Sequence, residues 1–317
     1  MRRNVRLVLA AVVLAAVALA GCSHSSTRQA KRAGAVTRPV AGLAALLAGL
    51  KHRHHGPAFY LSLGDSLSQG IQPDPSGVNG PTAQGYPDQL ETMLQTSIPR
   101  LRLVKLGCSG ETTSTMIRGG ICGYPAHSQL AQATRFLRAH RGKVALVTID
   151  IGANDPNSCI IGKPMSRVFG CISNQITQTE RNITSIMSRL RAAAGNRVLI
   201  VGMTYYVPEL GLWRQSQMGK ELALLTEGFA AGVNHLLAAR YHRYGARVAD
   251  VFDAFKSADF AGATGRTRLA HSVVPPNVLA VCSLTWMCAP RPRGPNEHAN
   301  DAGYRVIAKT FWHAIVG

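Results

Sequence analysis

Four short polar stretches carry the residue types that acyl transfer requires. In YLSLGDSLSQG, residues 60–70, an apolar run stops and presents Ser66. A hydroxyl just past a buried strand, at the start of a helix, meets free backbone N–H groups and a positive dipole end. Asp65, Ser66 and Ser68 are equally good helix N-caps, so this stretch alone does not specify a nucleophile. In GCSGETT, Gly110 lacks a Cβ and lets a backbone N–H approach closely. In GANDPN, Asn154 offers a side-chain amide. Donors of these two kinds, aimed at one point, stabilise the negative oxygen of a tetrahedral intermediate. Taken singly, both stretches are ordinary turn chemistry. In GPNEHANDAGY, near the end of the chain, His298 supplies an imidazole able to take a hydroxyl proton.

The local patterns exclude two familiar serine sites. An α/β-hydrolase elbow needs glycine at the fifth position of G-x-S-x-G, where Ser68 stands. A trypsin-like site has glycine directly after the serine and lies late in the chain, whereas Leu67 follows Ser66 near the domain's start. A metal is not expected. No CxxC pair occurs, and His52, His54 and His55 lie in a basic stretch without a neighbouring cysteine or carboxylate. No cofactor is implied.

Positioning these residues falls to short apolar runs: 58–63, 101–106, 144–151, 198–202 and 246–251. Each is bounded by Gly, Asn or Pro, as expected for strands buried on both faces. Helix-length segments alternate with them at 86–96, 128–140, 174–193, 220–241 and 302–315. The alternation predicts a three-layer α/β/α domain with a central parallel sheet over residues 56–317. Ligands of such sheets sit at the carboxyl ends of the strands. The first three strands run directly into the Ser66, Gly110 and Asn154 stretches. Neither an internal repeat nor a second domain is visible.

The remaining sequence concerns location. Arg2, Arg3 and Arg6 precede an apolar run to Ala20, a secretory leader over residues 1–21. It ends Leu19-Ala20-Gly21-Cys22, which resembles a bacterial lipobox and predicts lipidation of Cys22. Acyl chains there would hold the chain on the outer face of the cell membrane without spanning it. Residues 22–55 read as a basic tether. The formal net charge of +19, with Arg2, Arg3 and Arg6 supplying three, suits an anionic lipid or acidic envelope polymer. Nucleic acid is not expected, because aromatics are not interleaved with basic runs. With Cys22 lipidated, an even set of cysteines remains in an oxidising compartment, which predicts three disulfides. Sequence alone does not fix their pairing. The sequential set, Cys108–Cys122, Cys159–Cys171 and Cys282–Cys288, closes three short loops and is the one expected.

The four stretches in this order resemble the blocks of the SGNH, or GDSL, hydrolases, and the resemblance spans residues 60–310. CSGETT, VTIDIGANDPN, GMTYYVP and TWMCA further resemble secreted, disulfide-containing actinobacterial members of that family. The resemblance implies an esterase or lipase in which Ser66 attacks an ester carbonyl and forms an acyl-enzyme. His298 serves as base and then acid, and Ser66, Gly110 and Asn154 form the oxyanion hole. The substrate expected is an acyl ester, lipid among the candidates, and the protein is expected to be a monomer. A carbohydrate O-acetyl esterase or a silent envelope-binding lipoprotein is the alternative. One departure matters. Most of the family has Asp three residues before the histidine, where this chain has Pro295. A backbone carbonyl of residues 286–295 is expected to orient His298 instead, with Glu297 pointing elsewhere. Tyr205, Tyr206 and Trp213 are candidates for an acyl groove or for the core.

Overall fold

The computed structural model describes residues 57–160, 165–261, 268–269 and 272–317. The leader, Cys22, the tether and His52, His54 and His55 lie outside these residues.

Five strands form the central sheet: β1 (Ala58–Gly64), β2 (Leu101–Lys105), β3 (Val144–Asp150), β4 (Leu199–Met203) and β5 (Arg247–Ala249). All pair in parallel, in the order β2-β1-β3-β4-β5. The helices are α1 (Ser66–Gln69), α2 (Tyr86–Gln95), α3 (Thr113–Arg118), α4 (Gln129–Ala139), α5 (Asn157–Ile160), α6 (Met165–Ala194), α7 (Gln217–Arg243), α8 (Val251–Ala254), α9 (Pro276–Leu284) and α10 (Asp301–Val316). Helices α2 and α10 pack together on one face, with Tyr86 stacked on Phe311 at 4.7 Å. Helices α4, α6 and α7 form the other layer. Every residue of β3 and β4 is buried, which is why these strands are unbroken apolar runs rather than alternating ones. This strand order reverses direction between β1 and β3, and the crevice at that reversal is where such sheets bind ligands.

Three details differ from the sequence expectation. Strand β5 ends at Ala249, because Asp250 caps α8, its Oδ1 accepting from the Asp253 N–H and the Thr204 hydroxyl. Helix α6 begins at Met165 rather than at 174, and Cys171 near its start is bonded to Cys159 of α5. Helix α9 follows Pro275 and lacks a periodic apolar stripe, so nothing in its pattern distinguished it from loop. The other disulfides are Cys108–Cys122 and Cys282–Cys288, so all three bonds close short loops.

Candidate active site

The chain turns sharply where β1 ends. Gly64 has φ +139°, and a Cβ there would lie 2.1 Å from the Asp150 carbonyl oxygen, so only glycine fits. Its backbone is bracketed by Gln129, whose Oε1 accepts from the Gly64 N–H while Nε2 donates to its carbonyl. Asp65 then caps α1, with Oδ1 accepting from the Leu67 N–H at 3.0 Å. Ser66 is the first residue of that helix, so its N–H has no intrahelical partner. The two serines separate here. Ser68 is buried and donates to the Asp65 carbonyl at 2.7 Å, while Ser66 remains half-exposed.

Beneath this turn lies a buried acidic pair. Asp65 Oδ2 accepts from Tyr205 at 2.8 Å, and Asp150 Oδ1 accepts from Tyr86 at 2.5 Å. The Asp65 N–H reaches the Asp150 carbonyl at 3.1 Å. Burial raises both carboxyls, and the Asp65 charge pushes Asp150 up further. Each carboxyl accepts from one tyrosine hydroxyl and one main-chain N–H. Sequence reasoning did not single out Asp65, Asp150 or Gln129 as a unit.

The other two donor stretches meet one another. The Cys108–Cys122 bond holds the loop after β2, and Gly110 there is exposed, at φ +78°, with open space where a Cβ would be. Asn154 Nδ2 donates to the Glu111 carbonyl at 3.1 Å. That carbonyl can only accept, so the amide's nitrogen end is fixed toward the Gly110 loop, with a second N–H to spare. Asp155 is buried and anchors the turn, accepting from the Thr113 N–H and hydroxyl and from Thr179. Alongside lies a chiefly apolar crevice between α6 and α7, its interior about 10 Å³, room for roughly one water. Ile172, Ile176, Phe229, Val233 and Leu236 line it beside Gly152 and Pro156.

His298 comes from the far end of the chain and is 6% exposed. Its carbonyl accepts from the Trp286 N–H, and Thr285 bridges Ala299. The Cys282–Cys288 bond ties α9 to this loop. The ring is oriented otherwise than expected. Its Nδ1 lies 2.8 Å from Asn296 Oδ1, a side-chain oxygen and not a backbone carbonyl of residues 286–295. The reason is local: the Asn296 side chain folds forward in an Asx turn onto the His298 N–H, 3.0 Å away. Glu297 is exposed, its Oε1 4.0 Å from Nδ1. Burial lowers the His298 pKa, and the Glu297 charge partly opposes this.

Two adjacent tyrosines connect the loops. Tyr205 holds Asp65, the residue before Ser66, and Tyr206 donates to the carbonyl of Glu297, the residue before His298, at 2.8 Å. Both are buried braces rather than walls of a groove. Trp213 packs against Phe260. Further along, Gln72 donates to Asp301 at 2.7 Å and accepts from Trp286 at 3.1 Å, and Tyr304 reaches the Ile71 carbonyl. The chain after Ser66 thus lies against the chain around His298. Among the described residues, Ser66 and His298 are not hydrogen-bonded to each other, and such contacts often tighten only around substrate.

A parallel α/β/α sheet with a half-exposed serine opening the helix after β1 is the architecture of a serine ester hydrolase. The chain belongs to the GDSL-like lipase/acylhydrolase family, whose model matches residues 62–306. Among solved structures it is similar to a lipase from a goat rumen metagenome, at 16% identity and TM-score 0.51, over 82% of this chain and 98% of that one. It is also similar to an extracellular lipase from Streptomyces rimosus, at 18% identity and TM-score 0.49, over 81% and 99%. An acetylxylan esterase from Geobacillus stearothermophilus gives 18% identity and TM-score 0.44, over 82% and 95%. At these identities the likeness is one of fold. No curated protein matches the sequence.

Proposed function

We propose that Ser66 is the nucleophile of a carboxylic ester hydrolase, with His298 its base. Ser66 Oγ attacks the ester carbonyl while His298 Nε2 takes its proton. The Ser66 and Gly110 N–H groups and the Asn154 amide receive the oxyanion. Collapse of the tetrahedral intermediate returns that proton to the departing alcohol and leaves an acyl-enzyme. Water, deprotonated by the same imidazole, then releases the acid. The observation that carries this reading is the tyrosine pair, which reaches the residues immediately before Ser66 and His298 from the loop that follows β4.

The substrate proposed is an acyl ester with an apolar chain, the protein being held at the cell envelope by lipid on Cys22. Exposed Met218, Leu222 and Leu224 on α7 support contact with an apolar surface. Labelling with a fluorophosphonate tests the chemistry. Wild type is expected to label and Ser66→Ala not to. Wild type that fails to label would instead indicate a silent binding protein. A p-nitrophenyl ester series then reads chain length, with acetate as the best substrate counting against the apolar acyl chain. Incorporation of labelled fatty acid, lost in Cys22→Ser, tests the anchor.

A further inference from the structure

We propose that Asn296 is the positioning residue of this site, a neutral amide doing the orienting work that a carboxylate does elsewhere. The proposal rests on the Ser66–His298 reading above.

An asparagine in this place carries a specific hazard. If its NH₂ end faced the ring, Nδ1 would have to accept, the proton would sit on Nε2, and the ring could not take a proton from serine. One contact prevents this. The His298 backbone N–H, which can only donate, lies 3.0 Å from the same Asn296 atom that meets the ring, so that atom must be the oxygen. At the amide's other end, Nδ2 donates to Asn79 Oδ1 at 2.8 Å. Nδ1 is therefore the protonated nitrogen, and Nε2 keeps its lone pair. Both acceptor sites of Asn296 Oδ1 are then occupied, one by main chain and one by the ring.

The lock is built across the site. Asn79 belongs to a two-residue ribbon, Gln72–Pro73 against Asn79–Gly80, in the chain that follows Ser66. That ribbon packs on the histidine loop: Gln72 accepts from Trp286, and a Cβ on Gly77 would lie 2.3 Å from the Pro292 carbonyl oxygen. The nucleophile's loop thus supplies a partner for the base's amide. Of the charged side chains, Glu297 acts on the ring from its own loop. Asp301 of α10 is engaged by Gln72, and Asp65 lies beyond Ser66, held by Tyr205. Asn296 itself supplies geometry and tautomer without charge.

Three measurements test this. In ¹⁵N-histidine NMR, the resonances lost in His298→Gln should report Nδ1–H with a bare Nε2. Asn296→Leu should lower kcat at least tenfold with KM little changed, though by less than the roughly 10⁴ that an inverted amide costs a Ser-His-Asp site. Asn296→Asp keeps an acceptor and adds charge, so it should retain activity and move the acid limb of the kcat/KM profile to higher pH. An Nε2–H tautomer in wild type would overturn the proposal, as would an unchanged kcat in folded Asn296→Leu or an unmoved limb in Asn296→Asp. Activity surviving in Ser66→Ala would instead overturn the Ser66–His298 reading beneath it.

Discussion

The loops carrying Ser66 and His298 are held by opposite means. Ser66 follows β1 closely and rests on a buried floor in which Gln129 brackets the Gly64 backbone and Tyr86, Tyr205, Asp65 and Asp150 satisfy one another. His298 lies in sixteen residues, 285–300, with a single bridge for regular structure, and its contacts are amides and carbonyls near solvent. One half of the site is rigid because its polar groups have no water to turn to. The other is ordered by one disulfide and a few specific hydrogen bonds, several of them only part-buried. Tyr205 and Tyr206, neighbours in sequence, serve one loop each, which makes them the sharpest probes of the difference.

The largest effect is expected from Tyr205→Phe. It removes a donor from a carboxyl that is wholly buried, and stranding such a group costs about 1–3 kcal/mol. The loss should appear in denaturant unfolding, with kcat falling alongside. Tyr206→Phe frees only the Glu297 carbonyl in a part-buried position, about 0.5–1.5 kcal/mol. Its signature should be kinetic, with kcat lowered out of proportion to stability. Equal stability losses in the two variants would erase the contrast between the loops.

Next in size is the pH dependence that Asp150 imposes. Its native pKa is raised by burial and by the Asp65 charge, so above the ordinary value of 3.8 the folded state holds a proton that the unfolded chain releases. Stability from this source is full below that value and declines as pH rises toward the native pKa. Asp150→Asn keeps the shape and removes the titration. Its unfolding free energy, measured by urea between acid and neutral pH, should decline less steeply than that of wild type. An unchanged slope would mean that the floor beneath Ser66 does not share a proton.

The same contrast explains what the sequence disclosed. Ser66 and Asn154 stand after β1 and β3, whose apolar runs announce burial on both faces, whereas Gly110 follows the edge strand β2, where Arg102 and Lys105 break the run and only Leu101 is buried. His298 was placed by the family resemblance, since no periodicity marks residues 285–300. Asn296 and Asn79 meet across 217 positions, and an asparagine in a turn gives no sign of a distant partner. Tyr205 and Tyr206 read as groove or core, and the fold decided by burying their rings and leaving each hydroxyl one acceptor. The apolar walls of α6 and α7 gave no signal of their own, because core and cleft residues have the same composition.

The smallest effect should come from Glu297, and it tests how little the histidine loop depends on charge. Its carboxylate is 67% exposed and stands 4.0 Å from Nδ1, beyond hydrogen-bond reach, where solvent screens most of its field. Burial alone places the His298 pKa below its ordinary value of 6.5, and Glu297 pulls it partly back. The acid limb of kcat/KM, which reports the free enzyme's base, should therefore lie below that value in wild type. Glu297→Gln should move it slightly lower still while leaving the plateau intact. A plateau that collapsed in this variant would show that the carboxylate, and not the Asn296 amide, holds the ring.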